Sequence, residues 1–162
     1  MNLQTQVKQN SHCAIFSRNY SEHLDEAVEI SKHNPRQSIT FRSSVVWSSA
    51  KLAIETHGQR KIYFAPVRDS NLVSYEGNLE KIELYPELNP QTAQNLLQHC
   101  TQSTRGEGLW EEAGKAGVKT LYVILNCRKL TSPFPFTDLR KLIDASPIDE
   151  NFSRSYAVVY EM

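Results

Sequence analysis

Hydrophobic and polar positions change their spacing several times along the chain, and each change marks an element. Cys13-Ala14-Ile15-Phe16 is a short continuous apolar run and predicts a strand. Behind Ser21, a residue type that caps helix N-termini, Leu24, Ala27, Val28 and Ser31 recur at helical spacing, and Asn34-Pro35 predicts the stop. Ser38 to Val46 is rich in β-branched residues and predicts a strand. It runs into Trp47-Ser48-Ser49, where a serine can cap a helix whose inner face is Ala50, Ala53, Ile54 and His57, with Gly58 ending it. The strongest strand patterns are Lys61 to Val67 and Leu72 to Tyr75, and Arg68 to Asn71 between them predicts a hairpin turn. The second of these strands can continue through Gly77 to Leu84, the glycine marking a bulge or bend.

Further along, Asn89-Pro90 combines a capping residue with proline at the first helical position, and Ala93, Leu96, Leu97 and Cys100 form one helical stripe. Residues 101–117 show no clear period beyond a short helical segment at Leu109 to Ala113. Lys119 to Leu125 predicts a strand, Thr137 opens a short helix carrying Leu139, Leu142 and Ile143, and Ser155 to Tyr160 predicts the last strand. Residues 1–11 are polar and read as a flexible N-terminus, and residues 12–162 as a single domain. The sum is an α+β fold with a mostly antiparallel, barrel-like sheet and helices packed outside it.

Composition narrows the function classes. The chain has 162 residues, enough for one core and too few for two comfortable ones. Lys+Arg and Asp+Glu balance at 18 each, so binding to nucleic acid or anionic lipid would need a local patch. Cys13, Cys100 and Cys127 are odd in number and far apart, which argues against a secreted disulfide framework and for a reducing compartment, the cytoplasm. No apolar run approaches the roughly 18 residues of a membrane span.

No Gly-rich phosphate loop, Gly-x-Ser-x-Gly elbow or His-Glu-x-x-His occurs. His12-Cys13 and His99-Cys100 suggest zinc, but neighbouring side chains diverge and no Cys-x-x-Cys accompanies them, so the cysteines read as small core residues and neither metal nor cofactor is expected. Glu80-Lys81-Ile82-Glu83 is the nearest candidate for a metal-dependent nuclease's carboxylates and lysine, but alternating charge on the wet face of a strand explains it more cheaply. The two tryptophans, Trp47 at a strand-to-helix junction and Trp110 in a Gly-rich loop, stand where a ring can offer its face to a planar ligand. Core packing is the competing reading for each.

Four segments, in order, resemble the YTH family of methylated-adenine readers, within the PUA-like superfamily that also holds the EVE and ASCH domains. They are Ala14-Ile15-Phe16-Ser17-Arg18-Asn19; Val45-Val46-Trp47-Ser48-Ser49; Ile62 to Val67 with Tyr75-Glu76-Gly77; and Leu125-Asn126-Cys127-Arg128-Lys129-Leu130 leading to Pro133-Phe134, with Pro147-Ile148 and Arg154 downstream. The resemblance implies a PUA-like barrel that accepts one modified base into a cage walled by Trp47 and Trp110. It implies that Ser17, Asn19 and the backbone around Ser48 read the base edge. Lys51, Arg128, Lys129 and Arg154 are the candidates for holding phosphates, ordinary solvated charge being the alternative for each. The segment from Tyr20 to Ser44 is longer than the family's first connection, Pro86 to Arg105 reads as an inserted helix, and the third cage residue has no counterpart.

The expected function is therefore a non-catalytic reader of a modified, methylated nucleobase in DNA or RNA. Its size suits a specificity module fused to, or partnered with, a nuclease or motor of a bacterial defence or restriction system. Two rivals stay open. One is an ASCH-like hydrolase acting on a modified nucleoside, which needs a lysine or carboxylate in the same pocket; the other is a protein-interaction domain whose tryptophans are core.

Overall fold

In the computed structural model, which describes residues 2–68, 70–85, 87, 89–105 and 118–162, elements follow in the order α1 (Leu3–Gln9), β1 (Cys13–Asn19), α2 (Ser21–His33), β2 (Ile39–Ser43), α3 (Ser48–His57), β3 (Arg60–Pro66), β4 (Leu72–Leu84), α4 (Pro90–Leu97), α5 (Gln102–Arg105), β5 (Thr120–Pro135) and β6 (Tyr156–Tyr160). The strands form one sheet in the order β2-β5-β4-β3-β1-β6. β1 and β3 run parallel, joined through α2, β2 and α3, while the other four pairings are antiparallel. This is the mixed α+β architecture, one mostly antiparallel sheet with flanking helices, that the sequence predicts.

Both faces of the sheet's centre are covered, which is why β1 and β3 read as continuous apolar runs rather than as alternating ones. Ile15, Ile62, Phe64, Tyr122 and Val158 face the main core with helices α2 and α3. Ala14, Phe16, Tyr63, Ala65 and Val159 face a second cluster with Phe136, Leu139 and Ile148. Bulges curve the sheet. At one of them, Gly77 stands opposite two residues of β5, Asn126 (φ 50°) and Cys127, and a Cβ on Gly77 would lie 3.3 Å from the Leu125 carbonyl oxygen. The curl carries the two edge strands toward each other. Ser43, ending β2, and Ser155, just before β6, share a hydroxyl–hydroxyl hydrogen bond of 2.6 Å.

Several local expectations need correction. Tyr20 and Trp47, not serines, occupy the N-cap positions of α2 and α3, and neither helix has a side-chain cap bond. Residues 3–9 form a helix capped by Asn2 and anchored through buried Val7, whose carbonyl lies 2.7 Å from His57 Nε2. The polar sequence concealed this anchor, which Leu3, partly buried against the same core, supports. Cys100 lies beyond α4, in a bridge to Thr40. The helix expected from Thr137 is only a 3-10 turn over Phe136–Asp138. Leu139 and Leu142 are buried from an extended segment instead, because the backbone of Arg140 to Leu142 bonds to Val158 and Tyr160 of β6. The Leu109–Ala113 helix lies outside the described residues. No described helix is long and apolar enough to cross a membrane.

Candidate functional site

A cleft of about 380 Å³ opens where β1, β2 and the start of β5 converge. Ser17 and Asn19, at the end of β1, bring hydroxyl and amide groups to it, and Arg42 and Ser43 come from the end of β2. Tyr20 and His23 enter from the first turn of α2, Tyr122 from β5, and Ser155 from the segment before β6. The described lining contains two arginines and no carboxylate or lysine. Two guanidinium groups in one concavity are the kind of charge that attracts an anionic ligand.

Hydrogen bonds hold the polar groups in place. Ser17 Oγ donates to the Ser155 carbonyl at 2.8 Å. Asn19 Oδ1 accepts from the Tyr20 backbone N–H at 2.8 Å, and its Nδ2 donates to the Tyr122 hydroxyl at 3.3 Å, leaving one of its two amide hydrogens for a ligand. Burial pushes the Tyr122 hydroxyl well above its ordinary range, so this phenol keeps its proton. Arg18 Nη2 donates to the Pro66 and Ser70 carbonyls at 2.6 and 2.8 Å, tying the cleft to the β3–β4 turn, and burial lowers its pKa from the ordinary value. His23, only 3% exposed, has its Nδ1 2.9 Å from Ser103 Oγ.

Trp47 is at the cleft but presents no open ring face. Its indole has 0% exposure, with Tyr122 stacked at 4.2 Å (17° between planes) and Tyr156 at 4.9 Å (26°). Nε1 donates to Ser155 Oγ at 2.9 Å. The ring therefore bridges β5 to β6 and fills the seam of the curled sheet. Among the described residues, the exposed ring at the cleft is Tyr20, 38% accessible, which meets His23 edge-on at 5.5 Å and has the Arg68 guanidinium 5.6 Å from its centroid.

The other expected site residues are dispersed. Trp110 lies outside the described residues. Ser48 and Lys51 line a separate groove beside α1, where Lys51 is 3.9 Å from Glu55. Arg128 is held by Glu76 at 2.8 Å, and Lys129 by Asp25 at 3.3 Å. Arg154 lines a larger groove that meets the cleft at Ser155. Sequence reasoning missed Tyr20, Arg42 and Ser155. Arg42 had a signal, a lone cation in the strand Ile39-Thr40-Phe41-Arg42-Ser43; Ser155 had none. Among the described residues no cluster of His, Cys, Asp and Glu could hold a metal ion.

No protein-family model matches the chain, and no curated protein sequence matches it. Two solved structures are similar to it. One is the N-terminal domain of Staphylothermus marinus McrB, with a TM-score of 0.39 and 11% identity, covering 77% of each chain. The other is a ZmASCH mutant protein from Zymomonas mobilis, with a TM-score of 0.46 and 12% identity, covering 92% of this chain and 88% of that one.

Proposed function

We propose that the chain is a PUA-like nucleic-acid-binding module that accepts a single modified nucleobase in the cleft between the ends of β1 and β2. The observation that carries this reading is the lining itself: a concavity where two arginines, Arg18 and Arg42, stand among the hydroxyl and amide groups of Ser17, Asn19, Ser43 and Ser155. At about 380 Å³ it falls at the small end of ligand pockets, roughly 300–1,000 Å³, a size suited to one base or nucleoside. Tyr20 supplies a stacking face worth about 1–3 kcal/mol, which offsets the few kcal/mol of unstacking an extruded base requires. Asn19 and Ser17 read the base edge, and Arg42 holds a phosphate at the rim, while Trp47 and Tyr122, buried beneath the cleft, hold its shape. A methyl group on the base gains from leaving water against the accessible Tyr20 ring.

The test is fluorescence anisotropy with single-stranded oligonucleotides carrying N6-methyladenine or 5-methylcytosine, each against its unmethylated match. Preference for one methylated strand, weakened by Tyr20→Ala and by Arg42→Gln, is the expected result. No binding by any member of the panel, or binding that neither substitution alters, refutes the reading.

A further inference from the structure

A second cavity, a groove of about 850 Å³, begins at the other side of Ser155 and is lined by Tyr156, Arg154, Phe152, Lys141, Val45 and Ile143. The seam separating it from the cleft is the Ser43–Ser155–Trp47 hydrogen-bond cluster, so a chain leaving the cleft crosses only this seam to enter the groove. Its polar side chains are mostly donors. Lys141, Asn151, Ser153 and Arg154 line it, Arg154 forms no ion pair with a described residue, and the charge of Lys141 also acts on nearby Asp144. Its one carboxylate, Asp149, is already accepting from the Asn151 backbone N–H at 2.8 Å.

The backbone adds a donor. Leu142 N–H donates to the Val158 carbonyl and Tyr160 N–H to the Arg140 carbonyl, which covers the outer edge of β6 at its far end. The covering segment then turns away, with Ala145 at φ 61° and its N–H on the Lys141 carbonyl. Alternation along a strand places the next outward N–H and C=O at Tyr156, which lines the groove and has no strand opposite it on that edge among the described residues. Beside it Val45, Val46 and Ile143 are 45%, 39% and 44% exposed, an apolar surface next to the donors.

Cations, amide and hydroxyl donors beside apolar surface match the two parts of a nucleotide chain, phosphate and sugar-base. We propose that this groove is the track for the nucleotides flanking the bound base on one side, with Arg154 and Lys141 contacting their phosphates. The proposal rests on the base-reading assignment of the cleft.

It is tested with the methylated nucleoside alone and with single-stranded DNA 9-mers carrying N6-methyladenine or 5-methylcytosine at the 5′ end, the centre or the 3′ end. Flanks on one side only should tighten binding, by about tenfold over the nucleoside for two phosphate contacts at low salt. The Lys141→Gln/Arg154→Gln double variant, checked for an unchanged unfolding midpoint, should lose most of that gain and lower the salt slope by about 0.7 per contact removed. Equal affinity for nucleoside and 9-mers overturns the track while leaving the base pocket standing, as does a double variant that keeps both gain and slope. If neither nucleoside nor 9-mer binds, the base-reading assignment fails and the track fails with it.

Discussion

Replacing Trp47 separates a binding wall from a structural seam. The indole is enclosed, stacked by Tyr122 and Tyr156, and bonded through Nε1 to Ser155 Oγ. Truncation to alanine removes a large buried side chain and leaves a cavity, a change that typically lowers stability by about 3–5 kcal/mol. The two ring contacts, each worth about 0.5–1.5 kcal/mol beyond burial, place Trp47→Ala in the upper part of that range. The lost hydrogen bond adds little, because Ser155 Oγ keeps Ser43 Oγ as a partner and is not left unsatisfied. Trp47→Phe retains a ring between the tyrosines but loses area and the Nε1 bond, so about 1–2 kcal/mol is expected. For a chain of this size about 1 kcal/mol corresponds to roughly 2–4 °C, so the alanine variant, losing about 4–5 kcal/mol, should melt roughly 8–20 °C lower. Urea unfolding measured alongside, with an unchanged m-value, would tie the change to the folded state. A Trp47→Ala loss below about 1 kcal/mol would refute the reasoning, since a ring so easily removed has a face open to a ligand.

Other consequences are read on single variants. Tyr20→Ala should weaken binding of the preferred methylated oligonucleotide by about 1–3 kcal/mol in a titration while leaving the unfolding midpoint nearly unchanged, the opposite of Trp47→Ala. Burial pushes the Cys127 thiol from its ordinary 9.0 up to about 12. The folded state therefore resists losing that proton: the stabilisation is complete below about pH 9 and is lost as pH rises toward 12. Urea midpoints across that window should fall, and less steeply in Cys127→Ala; parallel curves would remove Cys127 as a cause. Ala145, exposed and held at φ 61°, occupies a conformation that favours glycine, so Ala145→Gly should raise the unfolding free energy by about 0.5–1 kcal/mol. A destabilised variant would show that the turn is unstrained.

Much of the sheet could be read from local chemistry. The β3–β4 hairpin announces itself through two strong strand patterns around a polar turn, and Gly77 falls at a bulge where a side chain would press on the Leu125 carbonyl. Asn89-Pro90 caps α4 as its residue types dictate, with Asn89 Oδ1 accepting from Thr92 N–H at 2.8 Å. Local signals fail where long-range pairing decides. Leu139, Leu142 and Ile143 satisfy a helical stripe, yet their segment gains more by bonding to the edge of β6, and the spacing of three residues cannot register that alternative.

The cleft was harder to read because no short motif encodes it. Its polar groups come from the end of β1, the end of β2, the first turn of α2 and the residue before β6, and they meet only because bulges curl the sheet until Ser43 reaches Ser155. A search by residue type settles on tryptophans, the side chains with most to gain from burial, and Trp47 is accordingly used to seal that curl. The ring left accessible is Tyr20, whose position follows from its neighbour. The Asn19 carbonyl still accepts from Val67 N–H beyond the end of the parallel ladder, while Asn19 Oδ1 accepts from the Tyr20 N–H and helix α2 starts at once. That abrupt strand-to-helix change leaves Tyr20 no sheet face or helix stripe to pack into, and its ring stays at the mouth of the cleft.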